Sequence, residues 1–119
     1  MNEILTAGYQ AIRNYVQANW KYIELRNASN APILRISTSD PRVTWTNLAN
    51  AQTLELTIVV KGSDAGLSGS LPLTFASSAL FDVATGGSPY SVESFTPFAM
   101  EAPEDQLTIK HQVQIPQVV

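Results

Sequence analysis

His111 is the residue of this chain best suited to acid–base chemistry, and it is the single histidine. A neutral imidazole can accept a proton from a serine hydroxyl, and the chain has many serines. His111 lies between Ile109 and Val113, however, in the inward positions of an alternating run. We therefore expect a buried, hydrogen-bonded histidine with no catalytic role. One histidine also excludes a multi-histidine metal site within one chain.

Other patterns that carry chemistry are incomplete. The run Gly66-Leu67-Ser68-Gly69-Ser70 approaches a nucleophile elbow, but the elbow needs glycine where Ser70 stands. The acids of "EAPED" (101–105) flank a proline in a predicted turn, where carboxylates are usually solvated. "KGSDAG" has one acid, too few for a calcium loop, and "ATGGSP" lacks the lysine of a P-loop. We expect no enzymatic activity, no metal and no cofactor.

Two tryptophans offer a different kind of site. Trp20, Tyr22 and Trp45 are candidates for a sugar-stacking platform, as found in carbohydrate-binding β-sandwich modules. Both tryptophans lie where strands begin or alternate, which favours packing in the core or at a seam. Solvent exposure of Trp20 or Trp45 would favour the carbohydrate-binding alternative.

The first nineteen residues predict an amphipathic helix that packs on the rest of the chain, with Asn2 or Thr6 as candidate caps. Its apolar residues recur at steps of three and four, and we expect this stripe to cover the sheet. The stripe consists of Ile4, Leu5, Gly8, Tyr9, Ala11, Ile12, Tyr15 and Val16, and Asn19 continues the same spacing.

Residues 20–119 predict about seven strands. Residues 22–26 and 33–36 favour a hairpin with the loop "NASNA". "RVTWT" favours a short strand, and the alternation of Leu54, Leu56 and Ile58 favours a further strand over 53–61. We predict two short strands around Leu71–Phe75 and Ala79–Val83, the first an edge strand because of Pro72, with a helical turn over 77–82 as the alternative. "YSVESF" predicts a strand ended by Pro97, and 106–115 alternates most cleanly. The fold class is therefore mainly β, an antiparallel sandwich or barrel, in a single domain over 1–119.

The composition of the chain limits the classes of partner that it can bind. The chain has 119 residues, 45% of them hydrophobic but only 14% charged, against roughly 25% in ordinary domains. Residues 62–109 contain six acids and no Lys or Arg, so nucleic-acid binding is not expected. The start "MNEILTAGYQ" has no signal-peptide pattern and no stretch suits a membrane span. We expect synthesis in a cytoplasm, with release by lysis as the route out.

With an N-terminal helix, a β domain rich in neutral polar residues, glycine and serine loops, no cysteine and few charges, the chain resembles the small structural proteins of tailed-bacteriophage virions. The residues that carry the resemblance are "TAGYQAIRNYVQANW", similar to the N-terminal helix of tail and fibre-attachment proteins, and "LTIVVKGSDAGLSGSLPLTFASSALFDVATGG". The resemblance implies a repeated, non-enzymatic subunit of the tail, baseplate or fibre-attachment region, made in the bacterial host cytoplasm. A capsid decoration protein is the alternative.

The resemblance to phage structural proteins also implies the partners, which are copies of the same chain and other virion proteins. We expect the glycine-rich loops 62–69 and 86–90 to lie at subunit contacts of a homo-oligomer. The candidate contact residues are Gly62, Ser63, Asp64, Gly66, Gly69, Gly86, Gly87 and Tyr90.

Overall fold

The computed structural model describes residues 3–49 and 51–115 of the chain. These residues form one helix and seven strands, so the predicted mainly β fold with an N-terminal helix is confirmed. The elements are α1 (Thr6–Asn19), β1 (Tyr22–Arg26), β2 (Pro32–Ser37), β3 (Val43–Thr46), β4 (Thr53–Lys61), β5 (Leu73–Phe81), β6 (Ser91–Met100) and β7 (Gln106–Gln114).

The strands form two antiparallel sheets, one in the order β2-β1-β5-β6 and the other in the order β3-β4-β7. Because the two sheets stay separate, the arrangement is a sandwich rather than a closed barrel. Apolar side chains from both sheets fill the space between them, including Ile23 and Leu25 of β1 and Leu56, Ile58 and Val60 of β4.

The central strand of the smaller sheet follows its sequence pattern closely. Leu54, Leu56 and Ile58 have no solvent exposure, whereas the residues between them are half-buried. Strand β4 pairs with β7 along its full length, from Thr53 opposite Gln114 to Lys61 opposite Gln106. The predicted inward register of β4 and β7 is therefore confirmed.

The prediction of two short strands between 71 and 83, and of a helical turn as the alternative, is wrong. One continuous strand, β5, runs through this region, and its pairing with β6 shifts between Phe75 and Ser77. An irregularity of this kind exchanges the two faces of a strand. Phe75 and Leu80 therefore both join the core, while Phe81 lies on the outer face beneath the Arg35 guanidinium.

Two prolines also differ from expectation. Pro72 lies just before β5, and β5 is an interior strand between β1 and β6, so the predicted edge strand is wrong. Pro97 does not end its strand, because β6 continues to Met100. The missing N–H of Pro97 is tolerated because β6 is the outer strand of its sheet, where one side of the backbone needs no strand partner.

Helix α1 covers the sheets less than the sequence predicts. Val16 and Arg13 are buried, but Ile12 and Tyr15 of the predicted stripe are exposed. The capping prediction at Thr6 is wrong, because Leu5 holds the N-cap position without a side-chain hydrogen bond; Asn2 lies outside the described residues. The helix is anchored by polar contacts instead, as described below.

Candidate functional site

His111 bridges the two sheets inside the sandwich. It lies on β7 opposite Leu56 and has no solvent exposure. The Ser78 hydroxyl lies 2.7 Å from its Nδ1, and the Ser91 hydroxyl lies 2.8 Å from its Nε2. Ser78 belongs to β5 and Ser91 to β6, so both ring nitrogens of a β7 residue are satisfied from the facing sheet. The expectation of a buried, hydrogen-bonded histidine is confirmed.

Burial lowers the pKa of His111 from 6.5 to about 4, because the charged imidazolium is poorly solvated in the core. His111 is therefore neutral at pH 7, with one nitrogen donating to a serine and the other accepting from one. Among the described residues, no hydrogen bond or ion pair joins a carboxylate to His111. This geometry suits a structural bridge between sheets, whereas a serine nucleophile requires an accessible hydroxyl.

The remaining candidates for chemistry are dispersed. Ser68 lies in an exposed loop, where its backbone N–H donates to Asp64 O at 3.1 Å. The Asp105 carboxylate accepts from the backbone N–H groups of Glu101 and Ala102, and these bonds lower its pKa. Residues 101–105 thus form the predicted turn, which these hydrogen bonds close. Within 3–49 and 51–115, no three His, Cys, Asp or Glu side chains are grouped so as to hold a metal ion.

The first predicted contact loop, 62–69, is tied to the sandwich at several points. Gly62 is buried against the 101–105 turn, so closely that a Cβ on it would lie 2.2 Å from Ala102 O. Leu67 is fully buried, and Asp64 accepts from Arg42 at 3.2 Å and from the Lys61 backbone N–H at 3.0 Å. Ser63, Ala65, Gly66, Ser68 and Gly69 are exposed, and the role of Ser63, Gly66 and Gly69 in a subunit contact stays a prediction.

The second predicted contact loop contains Gly86, Gly87 and Tyr90, all of them exposed. Arg35 holds this loop, because its Nη1 donates to Val83 O at 3.1 Å and to Gly86 O at 2.9 Å. The Arg35 guanidinium also lies 3.5 Å from the centre of the Phe81 ring, and its Nη2 lies 3.3 Å from Glu24. The backbone at Gly86 and Gly87 has positive φ, which favours glycine.

Both tryptophans are half-buried, as the core or seam interpretation predicts. The Trp45 indole packs on the core, and its Nε1 is buried without a hydrogen-bond partner among the described residues. The Trp20 ring lies 5.3 Å from the Tyr90 ring. A hollow of 250 Å³ opens beside this pair, lined by Tyr15, Asn19, Trp20, Lys21, Asp82 and Tyr90.

Polar side chains attach α1 to the end of the smaller sheet. Asn47, which follows β3, donates to Asn14 and Gln17 and accepts from Gln10 at distances of 2.8–3.0 Å. The buried Arg13 donates to Ile115 O just after β7 and, at 3.0 Å, to Gln10. This role of Arg13 was not predictable from the sequence, because the helix pattern assigns its position to the solvent-facing side.

Several apolar side chains at the start of α1 and along it are exposed. Leu5 is 75% exposed, Tyr15 63%, Ile4 50% and Ile12 39%. Ile4 and Leu5 precede the helix, and the Ile4 side chain lies against Gly8, where a Cβ would be 2.7 Å from its Cγ2.

No protein-family model matches this chain, and comparison with curated proteins and with solved structures found no match. Within the described residues, no helix combines the length and the apolar character that crossing a membrane requires.

Proposed function

We propose that this chain is a non-enzymatic structural subunit of a tailed-phage virion, present in several copies in the tail, baseplate or fibre-attachment region. The observation that carries the proposal is the position of the two candidate contact loops. Loop 62–69 precedes β5 and loop 86–90 follows it, so nine strand residues separate the loops. Both loops expose backbone to solvent at glycine residues, Gly66 and Gly69 in the first loop and Gly86 and Gly87 in the second.

A subunit with two exposed loops is suited to contact two neighbours at once. Tyr90 of loop 86–90 lies beside Tyr15 and Trp20 at the end of α1, so this surface presents several aromatic side chains. Loop 62–69 is more polar and lies beside the acidic 101–105 turn. In this proposal the aromatic surface meets a copy of the chain and the acidic surface meets another virion protein.

The low charge of the chain supports the same function. Uncharged surfaces and unprotected outer strands promote association, which a free monomer must avoid and an assembling subunit uses. In the described part of the chain β2, β6, β3 and β7 are outer strands, and β6 exposes Val92 to 50%.

A carbohydrate-binding module is the second candidate, and one observation favours it. The hollow beside Trp20 combines three aromatic rings with Asn19, Lys21 and Asp82 side chains, which can hydrogen-bond sugar hydroxyls. This candidate predicts a monomer in solution. It also predicts that added saccharides change the fluorescence of Trp20.

Quantitative mass spectrometry of phage particles, purified from a culture in which this chain is produced, tests the proposal. We expect the chain at a fixed ratio of several copies per particle, retained after washing in high salt. Its absence from particles, together with binding of the purified chain to a glycan array, would overturn the proposal in favour of the carbohydrate-binding module. A capsid location is separated from a tail location by repeating the measurement on isolated tails.

A further inference from the structure

A second hollow, with a volume of 590 Å³, lies on the side of the sandwich where β2 and β3 are the outer strands. It opens between these two strands and the C-terminal half of α1. It is lined by Asn14, Gln17, Ala18 and Lys21, by residues 37–39 and by Trp45, and we call it the Trp45 hollow. Its volume falls in the range of roughly 300–1,000 Å³ that is typical of small-molecule sites.

Two amide side chains of α1 line the Trp45 hollow in fixed orientations. Asn47 Nδ2 donates to Asn14 Oδ1 at 2.8 Å and to Gln17 Oε1 at 2.9 Å. Both amide oxygens are therefore engaged in the contact that attaches α1 to the smaller sheet. Within the described residues, the amide nitrogens of Asn14 and Gln17 make no hydrogen bond, so they remain as donors for a ligand.

Hydroxyl groups at the end of β2 and just after it form another wall. Ser37 Oγ lies 2.8 Å from Ser39 Oγ and also accepts from the Ser39 backbone N–H at 3.2 Å. Whichever hydroxyl donates in the Oγ–Oγ contact, the other keeps its proton for a different acceptor. Thr38 adds a third hydroxyl to this wall. The wall can therefore both donate hydrogen bonds to a bound molecule and accept them from it.

The Trp45 side chain supplies an apolar surface beside these polar groups. Trp45 is half-buried, and it both packs on the core and lines the hollow. An indole ring offers a large apolar area on which the C–H groups of a sugar ring can pack. A saccharide combines such an apolar face with hydroxyls that donate and accept, which is the combination that the walls of the Trp45 hollow complement.

The charges around the Trp45 hollow favour a neutral ligand. Of the described residues that line it, Lys21 alone is charged. Lys21 also lines the hollow beside Trp20, where Asp82 carries the opposite charge. These two charges offset each other, so no net charge selects an anion or a cation. Asp40, which follows the lining hydroxyls in the chain, is paired with Arg42 at 3.0 Å.

We propose that the Trp45 hollow binds one ring of a neutral saccharide, which packs on Trp45 and bonds through its hydroxyls to the amides of α1 and the hydroxyls of residues 37–39. This inference goes beyond the proposed function and does not depend on it, since a virion subunit and a free module can both hold the site. It also differs from the second candidate above, which places the saccharide beside Trp20. Because the hollow is open to solvent, we expect weak binding, with a Kd of about 1 mM.

Tryptophan fluorescence tests the location of the site, because the chain has two tryptophans. The probes are glucose, galactose, mannose and N-acetylglucosamine, each titrated well above the expected Kd. In the Trp20→Phe variant Trp45 is the sole indole, and at least one of these sugars should change its emission in a saturable way. In the Trp45→Phe variant the change should be lost. A change that is lost in Trp20→Phe and kept in Trp45→Phe would overturn the inference and assign the saccharide to the hollow beside Trp20.

Two alanine positions of α1 provide a blocking variant and its matched control. Ala18 and Ala11 are both exposed, but only Ala18 lines the Trp45 hollow. In the Trp20→Phe background, Ala18→Arg should fill the hollow and raise Kd at least roughly tenfold, whereas Ala11→Arg should leave Kd unchanged. Circular dichroism should report the same fold for both variants, because neither position is buried. Equal effects of the two substitutions on Kd would overturn the inference.

Charged sugars test the ligand class. Glucuronate carries a negative charge and glucosamine a positive one, and neither should bind more tightly than the best neutral sugar. Tighter binding of either one would overturn the inference, as would the absence of a saturable change with every sugar. Neither result bears on the proposed function, which is tested separately by the copy number of the chain in purified particles.

Discussion

The Ser78 hydroxyl lies 2.7 Å from His111 Nδ1 across the interior of the sandwich. This contact joins an interior strand of one sheet to an outer strand of the other, and the Ser91 hydroxyl satisfies Nε2 at 2.8 Å. A buried polar network of this kind stabilises the fold as long as every member keeps its partner. It also makes the core sensitive to protonation.

Stability should fall with pH because of His111. Its pKa is lowered from 6.5 in the unfolded chain to about 4 in the folded chain, so the folded state resists protonation. The contribution of neutral His111 is complete above pH 6.5 and is lost as pH falls toward 4, by up to about 3 kcal/mol. Denaturant unfolding at several pH values measures this loss.

The His111→Gln variant isolates the effect. At pH 7 it should be less stable than the wild type by about 1–2 kcal/mol, because glutamine satisfies the two serines imperfectly. Near pH 4 the difference should vanish or reverse, since the variant has no imidazole to protonate. Asp40 and Asp105, whose lowered pKa values also weaken stability in acid, are common to both proteins. Parallel pH profiles for the two proteins would contradict the assignment.

Leu56 should be essential for the core. It has no solvent exposure and lies opposite His111 in the β4–β7 pairing. Leu56→Ala should lower the free energy of unfolding by roughly 2–5 kcal/mol, a large share of the stability of a small domain. Thr57→Ala, on the other face of the same strand, is the control. A loss below about 1 kcal/mol for Leu56→Ala would mean that the site collapses around the cavity.

Gly62 and Gly69 provide a matched pair in one loop. A Cβ at Gly62 would lie 2.2 Å from the backbone oxygen of Ala102, whereas a Cβ at Gly69 would meet nothing within 4 Å. Gly62→Ala should therefore destabilise the protein by at least about 1–3 kcal/mol, and Gly69→Ala should be neutral or stabilising by a few tenths. Thermal unfolding of both variants checks this, and equal effects would contradict the described packing of the loop.

Arg35 should control the order of the 82–90 loop. Lysine at this position keeps the charge but loses the planar fork that reaches Val83 O, Gly86 O and Glu24 together. In the Arg35→Lys variant, amide hydrogen exchange should accelerate in residues 83–87 and stay unchanged in β4. Unchanged exchange in the loop would show that its glycine turns hold it without Arg35.

The fold was predictable where one pattern dominated. Strands β4 and β7 alternate without interruption, so their register followed from the sequence. The course of strand β5 was not predicted, because the irregularity at Phe75–Ser77 exchanges the two faces of the strand. The alternation of apolar residues in a single sequence does not reveal such an exchange. Pro97 was misleading because its effect depends on whether its strand is an outer one, which is decided by pairing partners far along the chain.

The sites were less predictable than the fold. The sequence indicated that His111 is buried but gave no reason to choose Ser78 and Ser91 among the serines, since they approach it from two other strands. Arg13 occupies a polar position of the helix pattern, and its burial depends on where β7 ends. The apolar stripe of α1 was visible, but the expectation that it covers its own sheet is wrong for Ile12 and Tyr15.

The most direct test of the central claim is imaging of purified phage particles at a resolution that places this sandwich in the density. The account predicts several symmetry-related copies that touch their neighbours through loops 62–69 and 86–90, with total interface areas of about 1,200–2,000 Å². Particles in which no density fits the sandwich, from a culture that produces the chain in quantity, would contradict it.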